Sequence, residues 1–101
     1  MQMVIISSLP DIKSMEESLL KAFNATIVDI VDDSYKHLGH AGSTGGGHYT
    51  LFIVSEFFEG ISRIRRHQQI LELFKDAMPH KIHALSIKAL SLSEYNTAPT
   101  S

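Results

Sequence analysis

The sequence predicts an α+β domain, a three-stranded sheet with helices packed against one face. Three observations predict it. Two segments repeat apolar residues at helical spacing, namely Ile12, Met15, Leu19 and Phe23, then Ile64, Leu71, Phe74 and Met78. Three short segments rich in β-branched and aromatic residues read as strands. Their order along the chain is helix, strand, strand, helix, strand, closed by a short terminal turn. With 101 residues, 44% of them hydrophobic, the chain can bury one modest core.

Each element has its own signals. The first helix is expected over residues 10–23, with Pro10 suited to its start and Asn24 ending it. Ile27, Val28, Ile30 and Val31 make a short buried strand over about residues 26–32. A loop from Asp33 to Gly47 follows, and structureless loops of that length in small domains are often functional. The second strand, His48–Ser55, sets Tyr49, Leu51 and Ile53 on one face and Phe52 and Val54 on the other. Apolar residues on both faces argue that it is well covered. The two strands flanking the long loop are most simply an antiparallel pair. Ser62 can cap the second helix, which carries Ile64, Leu71, Phe74 and Met78 inward and stops at Pro79. The third strand covers about residues 81–90. Ser91 and Glu94 form a capping box for the terminal turn. Residues 1–10 are set apart as an N-terminal extension, 11–95 as the domain, and 96–101 as a tail that frays.

Charge and composition narrow the function. Net charge is −2 with pI near 6.3, which gives no global attraction to nucleic acid or anionic membrane. The charge is uneven, however: residues 24–60 carry a balance of −4 and residues 61–90 one of +4. That polarity suits an oriented protein partner. Absence of cysteine excludes a disulfide framework and fits a reducing, cytoplasmic setting. No apolar run is long enough to span a bilayer. Met1–Ile6 lacks the basic flank and cleavage site of a signal peptide. No nucleophile elbow or phosphate-cradling loop is present, and Asp33, Ser34 and His37 lie too close together in a loop to hold triad geometry. The chain is not expected to be an enzyme.

Histidine supplies the remaining chemistry. His83 stands where the third strand begins, so the sheet fixes its backbone as it would for a positioned ligand. Its counterparts are His37 and His40 in the long loop. Without thiols, a metal held here must use imidazole, carboxylate or a partner's thiolate. From the residues alone, a strand-edge histidine bonded to a carbonyl and two solvated loop histidines are the simpler readings. His67, on the inward stripe of the second helix, reads as a core or groove-lining residue. His48 reads as stabilising the base of the loop. Arg63, Arg65 and Arg66 offer a basic helix face for DNA phosphates or an acidic partner, although a solvated face is commoner.

Several pieces taken together resemble the BolA family. They are Asp32-Asp33-Ser34, the histidine-bearing loop, His48-Tyr49, Ile53-Val54-Ser55, Phe58-x-Gly60, Arg66-His67 and His83-Ala84-Leu85-Ser86-Ile87, in matching order from about Asp11 to Tyr95. The resemblance implies a fold like the type II KH domain, although the Gly-x-x-Gly nucleic-acid loop of true KH domains is absent between the helices. It implies pairing with a monothiol glutaredoxin and a role in iron–sulfur cluster handling or iron-linked regulation. Some family members are described as transcriptional regulators. Relatives differ in whether the loop carries cysteine or histidine, and this chain is of the histidine-loop type.

The resemblance assigns ligand roles to His83 and to His37 or His40. A [2Fe–2S] cluster needs four ligands, and histidine can replace cysteine at one iron. A glutaredoxin offers its active-site thiolate and that of bound glutathione, and two imidazoles from this chain complete the set. No cluster is expected in the isolated chain, which is expected to be a monomer or weak dimer. Docking is expected to use Arg63, Arg66, His67, Lys81 and Ala84, where positive charge favours the acidic glutathione. The alternative is a DNA-binding regulator using Arg63, Arg65 and Arg66.

Overall fold

The computed structural model describes residues 12–33, 47–78 and 82–97. The chain forms helix α1 (Ile12–Phe23), strands β1 (Ile27–Asp32) and β2 (Gly47–Val54), helix α2 (Arg63–Leu73), strand β3 (Ile82–Leu90) and helix α3 (Leu92–Thr97). Single 3-10 turns at Glu56–Phe58 and Lys75–Ala77 precede and follow α2. The element order and the α+β class are those predicted. N-terminal residues 1–11 lie outside the described residues.

The sheet order is β1-β2-β3. β1 runs antiparallel to β2, with Ile30 opposite Leu51, and β3 runs parallel to β2, with Ile87 opposite Leu51. Period-two alternation then sends Val28 and Ile30, Tyr49, Leu51 and Ile53, and Leu85, Ile87 and Ala89 to one face. Met15, Leu19 and Phe23 of α1 and Ile70 of α2 close over that face, joined by Phe58, Phe74 and Ile82. Phe23 and Phe58 meet as tilted rings 5.2 Å apart, a favourable aromatic geometry. On the other face Phe52 packs against Tyr95 of α3, with ring centroids 6.2 Å apart. The two apolar faces expected of the central strand thus have different covers, the long helices on one and α3, through Tyr95, on the other.

Local signals in the sequence operate as capping chemistry. Asn24 ends α1 with φ 47, a left-handed conformation that asparagine tolerates. Ser62 accepts the N–H of Arg65 at the start of α2. Ser91 and Glu94 cap reciprocally: the Glu94 N–H bonds Ser91 Oγ at 3.2 Å, and the Ser91 N–H bonds Glu94 Oε1 at 2.8 Å. The terminal turn is a six-residue helix that reaches Thr97, two residues into the segment expected to fray.

The inward face of α2 differs from the expected one. Ile64 is 70% exposed and Leu71 38% exposed, while Arg66 and Ile70 are buried. A helical face counted from apolar residues alone skips an arginine, and here the arginine is part of the core-facing row. The helix also ends at Leu73, before Pro79, where Phe74 leaves helical geometry (φ −105, ψ 14) and the chain tightens into a 3-10 turn.

Candidate functional site

The sheet topology brings three chain segments to one end. β1 finishes at Asp32, β2 begins at Gly47 and β3 begins at Ile82. Antiparallel pairing puts the end of β1 beside the start of β2, and parallel pairing puts the start of β3 on β2's other side. The Asp33 N–H bonds the carbonyl of His48 at 2.7 Å, and the Thr50 hydroxyl donates to the Asp33 carboxylate. Both ends of the segment carrying His37 and His40 are therefore anchored in the sheet. His37 and His40 themselves lie outside the described residues, as does Lys81.

His83 occupies a special backbone position. Gly47 pairs with Ile82 and His48 pairs with Ala84, so β3 carries one extra residue between those two pairs. That residue is His83. A bulge of this kind interrupts the ladder and is common beside functional sites. Half-buried Ala84 lies next to it, opposite half-buried His48. The sequence puts His48 at the base of the loop without placing it next to His83. The available signal was the strand-helix-strand order of β2, α2 and β3, the kind of connection that parallel pairing needs.

The basic residues of α2 lie elsewhere. Arg66, expected on an exposed basic surface, is 4% exposed and fully engaged. Its Nε donates to the Ile61 carbonyl at 2.7 Å, and its Nη1 donates to the Ala89 carbonyl at 2.9 Å and to Glu94 Oε1 at 2.6 Å. The guanidinium also lies 5.6 Å from the centre of the Phe58 ring. These bonds, led by the one from Arg66 and followed by the Ser91 N–H, hold the Glu94 carboxyl down to about 2. The exposed basic pair is thus Arg63 and Arg65. Because Arg66 bonds Ala89, six strand residues from His83, the two regions are separated by about 20 Å of strand. His67, the next residue along α2, is half-buried. The structure does not bring the arginines to the His83 end.

An open groove of about 670 Å³ lies between α1, α2 and the turn at Phe57, lined by Ala22, Phe23, Phe57, Gln69, Glu72 and Leu73. It holds no ligand-type histidine. Among the described residues no three His, Asp or Glu side chains converge to hold a metal ion. No described helix is long and apolar enough to cross a membrane.

Comparison with known proteins decides the family. The family model described as BolA-like protein matches residues 19–94. The chain belongs to the BolA family. The BolA domain of SufE1 from Arabidopsis thaliana superimposes with a TM-score of 0.70 at 38% identity, covering 81% of this chain and 92% of that one. BolA1 from the same plant gives 0.72 at 34% identity, covering 84% and 95%. In full-length terms the relatives vary. This chain spans 23% of the Arabidopsis SufE-like protein 1 (37% identical, 79% of this chain) and 52% of the chloroplastic protein BOLA1 (37% identical, 79% of this chain). It spans 75% of the protein named DNA-binding transcriptional regulator BolA of Escherichia coli, at 31% identity over 80% of this chain. The BolA match covers both ends of the long loop, the bulge at His83 and the Arg66–Glu94 pair.

Proposed function

We propose that this BolA-family protein is an adaptor that pairs with a monothiol glutaredoxin and shares a [2Fe–2S] cluster with it, in cluster delivery or iron-linked regulation. The observation that carries this reading is the convergence of the loop anchors and the His83 bulge at one end of the sheet. Asp33, His48 and Ala84 lie on three adjacent strands, so Asp33 and β3 are about 10 Å apart. His37 is four residues from Asp33 and His40 seven; at about 3.6 Å per residue the chain lets either imidazole reach the neighbourhood of His83.

The donor set fits such a cluster when a partner completes it. Histidine is an accepted ligand at one iron, and thiolates from glutaredoxin and glutathione would serve the other. His83 would be one protein ligand and His37 or His40 the second. Neutral imidazole in place of anionic thiolate raises the reduction potential of such a cluster. The fixed β3 backbone holds one ligand while the loop brings the other, and half-buried Ala84 and His48 form the adjoining surface. This role involves no catalytic nucleophile.

Anaerobic titration into cluster-loaded monothiol glutaredoxin, followed by visible absorption and circular dichroism, tests the reading. A new spectrum that saturates at one-to-one and is lost in His83→Ala supports it. An unchanged glutaredoxin spectrum overturns it. The second reading, a DNA-binding regulator, draws on the exposed Arg63 and Arg65 and on the name carried by the Escherichia coli relative. It requires affinity that falls steeply with salt.

A further inference from the structure

β1 is an edge strand. β2 pairs with one side of it, and among the described residues no segment pairs with the other. Antiparallel ladders alternate, and Asp33 bonds toward His48 in register with β1. Ile27, Asp29 and Val31 therefore direct their backbone groups at β2, while Val28 and Ile30 direct theirs outward. A row of outward amide and carbonyl groups is a template for another extended segment.

The side chains beside that row state what the segment must carry. Ile27, Asp29 and Val31 share the face of the sheet opposite the helix-covered core. Asp29 is exposed, Val31 is 48% exposed and Ile27 is half-buried. From residue 22 to residue 62 the only lysine or arginine is Lys36, and Asp29 is the charged side chain that β1 presents on that outer face.

We infer that the outer edge of β1 accepts an extended peptide as a fourth strand, one whose face beside Ile27, Asp29 and Val31 reads apolar, basic, apolar at alternate positions. The basic residue sits next to Asp29 and the two aliphatic residues next to Ile27 and Val31. A second copy of this chain is a poorer occupant. In the register that sets Asp29 of one copy opposite Asp29 of the other, two paired β1 edges would put like charges directly across strands, which is destabilising.

The probe is the blocked peptide Thr-Val-Thr-Lys-Thr-Val-Thr, titrated into the full ¹⁵N-labelled chain. The expected result is a saturable set of amide shifts centred on β1, with exchange of the Val28 and Ile30 amides slowed about tenfold at saturation. Asp29→Lys, a change at an exposed side chain, weakens binding about tenfold and leaves the free-state spectrum folded. Peptides N-methylated at alternate residues, in the phase that blocks bonding to β1, do not bind. Absence of saturable shifts overturns the inference. So does binding that survives N-methylation in both phases, because that outcome identifies attraction to acidic charge without strand addition.

Discussion

Arg66 and Glu94 are joined across 28 residues of sequence by two side-chain hydrogen bonds, at 2.6 and 3.4 Å. The pair locks α3 to α2 at the end of the sheet opposite His83. Arg66 also bonds the carbonyl of Ala89, and it thereby ties the β3 backbone to α2 as well. Removing one partner leaves a buried guanidinium without its counter-ion, which is the expensive half of a buried pair. Glu94→Gln is expected to lower unfolding free energy by about 1–2 kcal/mol, since Glu94 itself is partly solvated. Urea titration followed by circular dichroism checks this.

The same pair sets an acid limb to stability. The folded-state pKa of Glu94 is lowered to about 2 from an ordinary value of 4.5. A lowered carboxylate pKa contributes stability above the unfolded value and loses it as pH falls through the folded one. Stability is therefore expected to decline from about pH 5 toward pH 2. Glu94→Gln should flatten that part of the profile, as read from urea midpoints across the range. Glu59, lowered by its bonds from Ser93, contributes in the same direction, so some slope should persist in the variant.

Ser55 offers a test of the core away from any candidate site. It is fully buried, donates to the carbonyl of Phe23 at 2.5 Å and accepts the N–H of Phe57 at 2.9 Å. Ser55→Ala leaves both groups without their partner. A loss of about 1–3 kcal/mol is expected in thermal or urea unfolding.

The separation of His83 from the α2 arginines predicts two independent phenotypes. If the cluster-sharing reading holds, Arg63→Ala with Arg65→Ala should leave the shared-cluster spectrum intact. If the DNA reading holds, the same double variant should reduce the slope of log K against log salt by up to about 2, close to 0.9 for each phosphate no longer neutralised. His83→Ala should show the opposite pattern. Parallel titrations with cluster-loaded glutaredoxin and with duplex DNA across a salt series distinguish them.

The sequence is most legible where chemistry is local. Ser62 and the Ser91–Glu94 box lie within three residues of the groups they cap, and both behave as expected. The strands are legible because runs of β-branched and aromatic residues, as in Leu51, Phe52, Ile53 and Val54, suit a covered sheet. The inward row of α2 is not legible, because burial of Arg66 depends on Glu94 and Ala89, partners 28 and 23 residues away that periodicity does not reveal. The expectation that Ile64 and Leu71 face inward fails for the same reason. Likewise, His83 stands out in the sequence as a histidine at the start of a strand. Its place in a bulge depends on the register between β2 and β3, a tertiary property. The loop histidines His37 and His40 fall outside the described residues, so the choice between them rests on experiment.

Imidazole ligation of a shared cluster has its own signature in nitrogen hyperfine coupling. The complex with cluster-loaded glutaredoxin is reduced by one electron and examined by pulsed electron paramagnetic resonance, with this chain carrying either natural or ¹⁵N-labelled histidine. Strong nitrogen couplings that change with the label, and that are diminished in His83→Ala, are the expected outcome. A spectrum without label-dependent couplings of ligand strength, from a complex shown to be intact, would refute ligation by this chain.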